Sequence, residues 1–294
     1  MLTAAARALH REERPPLVLD DDLALRLAGE RGEELIERAR TLLPGDGILS
    51  FSRWVCARAR VTEDLVERSI PEGIGQYVIL GAGLDSFAYR RHDLAGSLRV
   101  FEVDHPASQA WKRTRLSELG ITPPQNLVFA PVDFETETLE SGLRAAGFDF
   151  DSPAVFGWLG VTMYLTVDAI RATLKTVASC AVGTHIVLTY NQPPSMVDAF
   201  GRHVTTTLAG MVAETGEPFI SLFTPDQIEK LMRREGYSSI EHFGPEDAIR
   251  AYFPGRTDVR IANAQRVLIA RVAESRPKRG SSTRTATRSP RRPG

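Results

Sequence analysis

The stretch Tyr77-Val78-Ile79-Leu80-Gly81-Ala82-Gly83-Leu84-Asp85-Ser86 constrains this chain more than any other. An apolar strand that runs into a two-glycine turn lets backbone N–H groups approach a ligand with no Cβ in between. About twenty residues on, Val100-Phe101-Glu102-Val103-Asp104 is a second apolar run closed by an acid, the place where a parallel sheet holds a ribose diol. Together the two runs mark the start of a nucleotide-type cofactor site. A dinucleotide fingerprint, G-x-G-x-x-G, would carry a third glycine at position 86, where this chain has Ser86. A lone glycine pair can also be purely conformational, so the rest of the chain has to decide.

Ahead of the turn the apolar residues recur at helical spacing: Leu23, Leu27 and Ala28; Leu35, Ala39, Leu42 and Leu43; Val55, Ala59, Leu65 and Val66. Strands and helices then alternate, with strands expected at 77–80, 99–103, 127–131, 154–159 and 186–190 and helices near 86–92, at 106–119 and at 167–179. That alternation implies a parallel sheet with helices on both faces. Two more strands are expected at 239–243 and 265–272. Thr224-Pro225-Asp226-Gln227, followed by Ile228, Leu231 and Met232, reads as a capped helix with proline in its first turn, after a longer helix over 195–215. The expected organisation is one α/β domain over 1–274: a helical cap (1–75), a cofactor-binding core (76–191), an inserted helical lid (192–236) and C-terminal strands (237–274).

Residues 275–294 carry seven Lys or Arg and no acid, and the remainder has 29 basic against 37 acidic residues, a net charge of −8. An acidic folded part disfavours a nucleic-acid substrate. The basic tail, almost without apolar residues, is expected to be disordered. Cys56 and Cys180 are far apart and the six histidines show no ligand spacing, so neither a disulfide framework nor a metal site is expected. Met1 to Arg14 has charges where a signal peptide needs its apolar segment, and no run reaches the ~18 apolar residues of a membrane span. A cytoplasmic protein with no membrane partner is the expectation.

Four blocks in order, Leu80-Gly81-Ala82-Gly83-Leu84-Asp85-Ser86-Phe87-Ala88-Tyr89-Arg90, Phe101-Glu102-Val103-Asp104-His105-Pro106, Val132-Asp133-Phe134 and Trp158-Leu159-Gly160-Val161-Thr162-Met163-Tyr164-Leu165, resemble a known family. It is that of the leucine carboxyl methyltransferase-like and polyketide O-methyltransferase-like proteins of actinobacterial type, a branch of the class I S-adenosylmethionine-dependent methyltransferases. The resemblance implies a Rossmann-like sheet of seven strands, the last antiparallel, and S-adenosyl-L-methionine as cofactor. Many relatives read W-L-x-E-G-x-x-x-Y-L in the fourth block; this chain is shorter there and lacks the glutamate, so no role of that acid carries over to it.

Methyl transfer from a sulfonium is an in-line displacement, so the protein mainly holds donor and acceptor at attack distance and keeps water out. Gly81, Ala82 and Gly83 would offer backbone donors to the amino-acid end of the cofactor. Asp104 stands where a carboxylate meets the ribose hydroxyls, although it could instead cap the helix starting at Pro106. Asp133 could accept from the adenine amine beside the Phe134 ring, or cap a helix over 135–143. The resemblance assigns that pair to the adenine. It also matches Arg53 to an arginine that reaches the cofactor's carboxylate, with Arg58 and Arg60 as rivals. Asp85 reads as the cap of the next helix. No nucleophile or base pattern is legible, leaving Tyr164 and His203 as weak catalytic candidates.

The reading is therefore a methyltransferase acting on an oxygen, carboxylate or hydroxyl, of a small molecule. Two alternatives remain: a nicotinamide-dependent oxidoreductase, or a non-catalytic protein that keeps the cofactor pocket. The sequence leaves acceptor and oligomeric state open.

Overall fold

The computed structural model describes residues 1–134, 136–213 and 218–274. The basic tail lies outside the described residues. Four helices come first, α1 (Leu2–His10), α2 (Ala24–Ala28), α3 (Glu30–Leu42) and α4 (Asp46–Ser69), followed by β1 (Gln76–Leu80), α5 (Phe87–Arg90), β2 (Arg99–Asp104), α6 (Pro106–Glu118) and β3 (Leu127–Pro131). Then come α7 (Leu139–Ala145), β4 (Val155–Trp158), α8 (Val167–Ala178), β5 (His185–Asn191), α9 (Ala199–Ala213), α10 (Pro225–Arg234), β6 (Tyr237–Phe243), α11 (Pro245–Tyr252) and β7 (Gln265–Val272).

The strands form one seven-stranded sheet in the order β3-β2-β1-β4-β5-β7-β6. β1 to β5 are parallel, and β7 runs antiparallel between β5 and β6. This is the expected fold class. Sequence order reverses between β1 and β4, and in open α/β sheets the ligand crevice lies outside the carboxyl ends of the strands at such a switch point.

Strand alternation sorts the core into two layers. Tyr77 and Ile79 of β1, Val100 of β2, Val155 of β4 and Val187 of β5 meet α4, α6 and α11 on one face. Val78, Leu80, Phe101, Val103, Phe156, Ile186 and Leu188 meet α7, α8 and α10 on the other. Both faces are covered, which is why the strands read as near-continuous apolar runs. A third cluster joins Ala5 and Leu9 of α1 to Ile36 and Ala39 of α3, Ile48 of α4 and Val204, Leu208 and Met211 of α9. The helix expected over 195–215 thus packs on the N-terminal helices.

Local chemistry sets the boundaries. The Thr224 hydroxyl accepts from the Gln227 amide (3.2 Å) while the Gln227 side chain accepts from the Thr224 amide (2.9 Å), a reciprocal cap with Pro225 in the first turn. Thr166 caps α8 by accepting from Ala169 (3.3 Å), and Ile170, Leu174 and Val177 supply its buried stripe. β6 starts two residues before the expected 239, because Ser239 adopts φ +49° at a register shift between Ser238 and Glu241 that breaks the period-two pattern.

Helix α7 presses on the residue that precedes Asp133. A Cβ built at Gly142 would lie 2.2 Å from Val132 Cγ2. Glycine to alanine inside a helix ordinarily gains up to about 1 kcal/mol. Here overpacking reverses the sign, and Gly142→Ala is expected to destabilise by about 1–3 kcal/mol in chemical denaturation. A gain in stability would show that α7 can retreat from β3.

Candidate functional site

The glycine turn is pinned to the neighbouring strand. The amides of Gly81 and Ala82 both donate to the Val103 carbonyl, at 2.9 and 3.1 Å. Gly81 has φ +68° and Gly83 φ +48°, the left-handed region that favours glycine. A Cβ at Gly81 would lie 2.6 Å from Val161 Cγ2, so that glycine is required by packing. At Gly83 a Cβ would meet only the turn's own Gly81 carbonyl at 4.0 Å, so the space before it is open.

That space is a cleft of about 140 Å³ between the carboxyl ends of β1 and β4. Its walls include the turn, Gly157, Leu159, Gly160 and Val161 from β4 and its exit, Val55, Arg58 and Ala59 from α4, and Met1, Thr3 and Arg7 at the start of the chain. Gly81, Ala82 and Gly83, all singled out from the sequence, line it. Their amides are taken by the Val103 carbonyl and the Asp104 carboxylate, so the turn offers room for the amino-acid end rather than the backbone donors expected of it.

Asp104 stands at the rim. One carboxylate oxygen accepts from the Gly83 amide, the other from the His105 amide at 2.7 Å. Capping the helix from Pro106, the alternative role for Asp104, falls to His105, which accepts from Ala107 at 3.2 Å. Asp133 is half-buried two residues past β3, the strand beside β2. Its carbonyl accepts from the Thr136 and Glu137 amides, so a tight turn fixes its position. Phe134 is 59% exposed beside it. Asp104, Asp133 and Phe134 lie outside the enclosed part of the cleft. Asp85 accepts from the Phe87 amide, the first of α5, at 2.7 Å, from the position ahead of the helix's N-cap residue Ser86.

The two arginines of α4 part company. Arg53 is buried but does not line the cleft: it grips both oxygens of Glu13 at 2.9–3.0 Å inside the helical cap. Burial would raise the Glu13 carboxyl, but hydrogen bonds to His10 and Arg53 and the Arg53 charge outweigh it and hold it at about 2. Arg58, five residues later and therefore about 140° around the helix, does line the cleft. Its Nη1 donates to Gln265 Oε1 (2.7 Å), which also accepts from Trp54 Nε1 (2.9 Å), while Gln265 donates to Asn191 (2.8 Å). No carboxylate among the described residues comes within ion-pair distance of Arg58. Burial lowers it to about 10, which leaves it charged at neutral pH. Gly160, with φ +73°, makes room for it: a Cβ there would stand 2.8 Å from Arg58 Nη2.

Of the catalytic candidates, Tyr164 packs its ring on Phe219, with centroids 5.6 Å apart, and does not line the cleft. His203 is exposed on α9 and does not line the cleft. Reading from the sequence missed the first helix, Gly157 and Gly160 as walls. The signal for Gly160 was present in the glycine of the fourth block; for α1 it was the run Ala4-Ala5-Ala6-Arg7-Ala8, which also resembles the family but assigns no residue to the cleft.

A model of the leucine carboxyl methyltransferase family matches residues 1–178. YktD of Bacillus subtilis, by name a candidate S-adenosyl-L-methionine-dependent methyltransferase, is 32% identical over 279 residues, covering 88% of this chain and 91% of that protein. Rv1896c of Mycobacterium tuberculosis, named in the same way, is 34% identical over 192 residues, covering 64% of this chain and 62% of its own. Among solved structures, a candidate methyltransferase from Thermobifida fusca superposes with a TM-score of 0.59 at 18% identity, covering 84% and 90% of the two chains. A DUF574 family protein from Streptomyces avermitilis superposes with a TM-score of 0.60 at 13% identity, covering 92% and 97%. Those two likenesses speak to the fold. With the family model spanning more than half of its residues, this chain belongs to the leucine carboxyl methyltransferase family, on the class I methyltransferase fold.

Proposed function

We propose that this protein transfers the methyl group of S-adenosyl-L-methionine to an oxygen, carboxylate or hydroxyl, of a small molecule. The observation that carries the reading is Arg58: a buried guanidinium, without a carboxylate partner among the described residues, opens on a glycine turn at the switch point of the sheet. The residues around the cleft suit the cofactor. Arg58 meets its carboxylate, the open face of the turn at Gly83 its amino-acid end, and Asp104 its ribose hydroxyls. Asp133 accepts from its adenine amine beside Phe134. The bound cofactor supplies an electrophilic methyl group on a sulfonium.

The chain's own part is to orient the two reactants and exclude water. A carboxylate acceptor is ionised at neutral pH and needs no base, and among the described residues no histidine lines the cleft. That favours carboxylate oxygens over hydroxyls. The 192–236 segment is the proposed lid on the acceptor side, supported by the Ile220 amide donating to the Met163 carbonyl (2.7 Å) next to Tyr164. A nicotinamide enzyme is disfavoured because the Asp85 carboxylate already takes the first amide of the four-residue α5, where a pyrophosphate would have to sit.

Calorimetric titration with S-adenosyl-L-methionine and NAD(P), followed by methyl-label transfer to small carboxylic acids, tests the reading. Binding of NAD(P) without S-adenosyl-L-methionine would overturn it. Asp104→Ala is expected to weaken S-adenosyl-L-methionine by about 1.5–3 kcal/mol, roughly 10- to 150-fold. Unaltered affinity would remove Asp104 from the site.

A further inference from the structure

The first helix forms part of the cleft wall, and the methyl-transfer reading so far makes no use of it. Thr3 and Arg7 stand four residues apart on α1, hence on one face, and both line the cleft. Ala5 and Leu9 are buried in the cluster with α3, α4 and α9.

One buried carboxylate ties this wall to the glycine turn. Asp21 has no exposed side-chain surface. One of its oxygens accepts from Arg7 Nε at 2.7 Å and from the Ser86 hydroxyl at 2.6 Å; the other accepts from the Leu23 amide at 3.2 Å. Arg7 Nη2 goes on to donate to the Leu84 carbonyl at 2.6 Å, inside the turn. The Ser86 oxygen also accepts from Arg90 Nε at 3.0 Å. Burial would raise the Asp21 carboxyl, but the Arg7 charge and the hydrogen bonds from Ser86 and Arg7 hold it below the usual range. Leu84 and Ser86, the residues on either side of Asp85, are therefore held by one carboxylate, directly or through Arg7. Ser86 stands where a dinucleotide fingerprint carries its third glycine, and here its hydroxyl is part of the anchor. A buried ion pair is weak evidence for stability, and its better attested use is to fix one arrangement of the groups it joins.

We propose that Asp21 is a positioning residue for the methyl donor: through Arg7 and Ser86 it fixes the glycine turn and the first helix as one unit around the amino-acid end of S-adenosyl-L-methionine. The inference rests on the methyl-transfer reading and deepens it.

The test compares two ligands on the full chain. S-adenosylhomocysteine carries the amino-acid end, and 5′-methylthioadenosine lacks it. Affinities for both, with melting temperatures in parallel, are measured for the wild type, Asp21→Asn, Arg7→Lys and Ser86→Ala. S-adenosylhomocysteine is expected to bind about 10- to 100-fold more weakly to Asp21→Asn and Arg7→Lys and about 3- to 10-fold more weakly to Ser86→Ala, the scale of a small misplacement of binding groups. Affinity for 5′-methylthioadenosine stays within about twofold. Because the residues act as a unit, Asp21→Asn combined with Arg7→Lys loses no more than the larger single loss. Equal losses for both ligands, additive losses, or a lower melting temperature with unchanged S-adenosylhomocysteine affinity would each overturn the positioning role. If Asp21→Asn does not fold, Ser86→Ala, which keeps the ion pair, decides by the same comparison. A wild type that binds neither nucleoside would overturn the methyl-transfer reading itself, and this inference with it.

Discussion

Replacing Lys112 with methionine is expected to cost about 3–5 kcal/mol of folding stability at pH 8, because it strands a buried carboxylate. Glu102 points from the middle of β2 into the layer under α6, and its side chain and that of Lys112 are each 1% exposed. The Lys112 ammonium donates to Glu102 Oε2 and to the Asp85 carbonyl, both at 2.6 Å, while Glu102 Oε1 has no hydrogen-bond partner among the described residues. Burial already pushes the Glu102 carboxyl up against the opposing pull of Lys112. Without the ammonium its folded-state pKa lies higher still, above the unfolded value. Folding then favours the protonated acid: the penalty is smallest below the unfolded pKa and grows as pH rises towards the folded one. Chemical denaturation should accordingly show a smaller loss at pH 5 than at pH 8, and Glu102→Gln should restore part of the Lys112→Met loss. Near-wild-type stability of Lys112→Met at pH 8 would show that the pair is dispensable. Since Lys112 also holds the carbonyl of Asp85, the glycine turn should loosen along with the fold.

Arg58→Met is expected to weaken S-adenosyl-L-methionine by about 2–5 kcal/mol, roughly 30- to 4,000-fold, the cost of removing one partner of a desolvated charge pair. 5′-Methylthioadenosine, with no carboxylate, should bind Arg58→Met about as well as it binds the wild type. Arg53→Met is the control that separates the two arginines. It leaves Glu13 buried without its principal partner, so it should lower stability while changing cofactor affinity by less than about threefold. The opposite pattern, with affinity lost in Arg53→Met and kept in Arg58→Met, would return the carboxylate-binding role to Arg53.

Those two residues also show where reading from sequence stops. The sheet was legible because its signals are local. Leu80 followed by Gly81 and Gly83, the acid at the end of Val100–Asp104, and the Thr224–Gln227 cap are each recognisable within a few residues, even where, as at the glycine turn, distant residues then hold the geometry in place. The choice between Arg53 and Arg58 is of another kind. Both sit on a 24-residue helix, and which of them faces the cleft depends on its rotation about its own axis. That rotation is set by the packing of Trp54, Cys56, Ala57, Val61 and Leu65 against the sheet. A shift of five residues along such a helix moves a side chain to a different face without leaving a mark in the pattern of charges.

Similarly, nothing near Asp21 or Ser86 announces that they meet across 65 positions, and the sequence of Leu2–His10 does not say which of its residues face the cofactor cleft. The linear chain determined its own strands, turns and caps, and with them the place where a cofactor belongs, because hydrophobic period and glycine conformation are short-range properties; the order in which the strands pair belongs to the tertiary structure. Tertiary packing decided which cations face that place and which are used up inside the cap, because only the folded layers fix the direction in which a buried side chain can point.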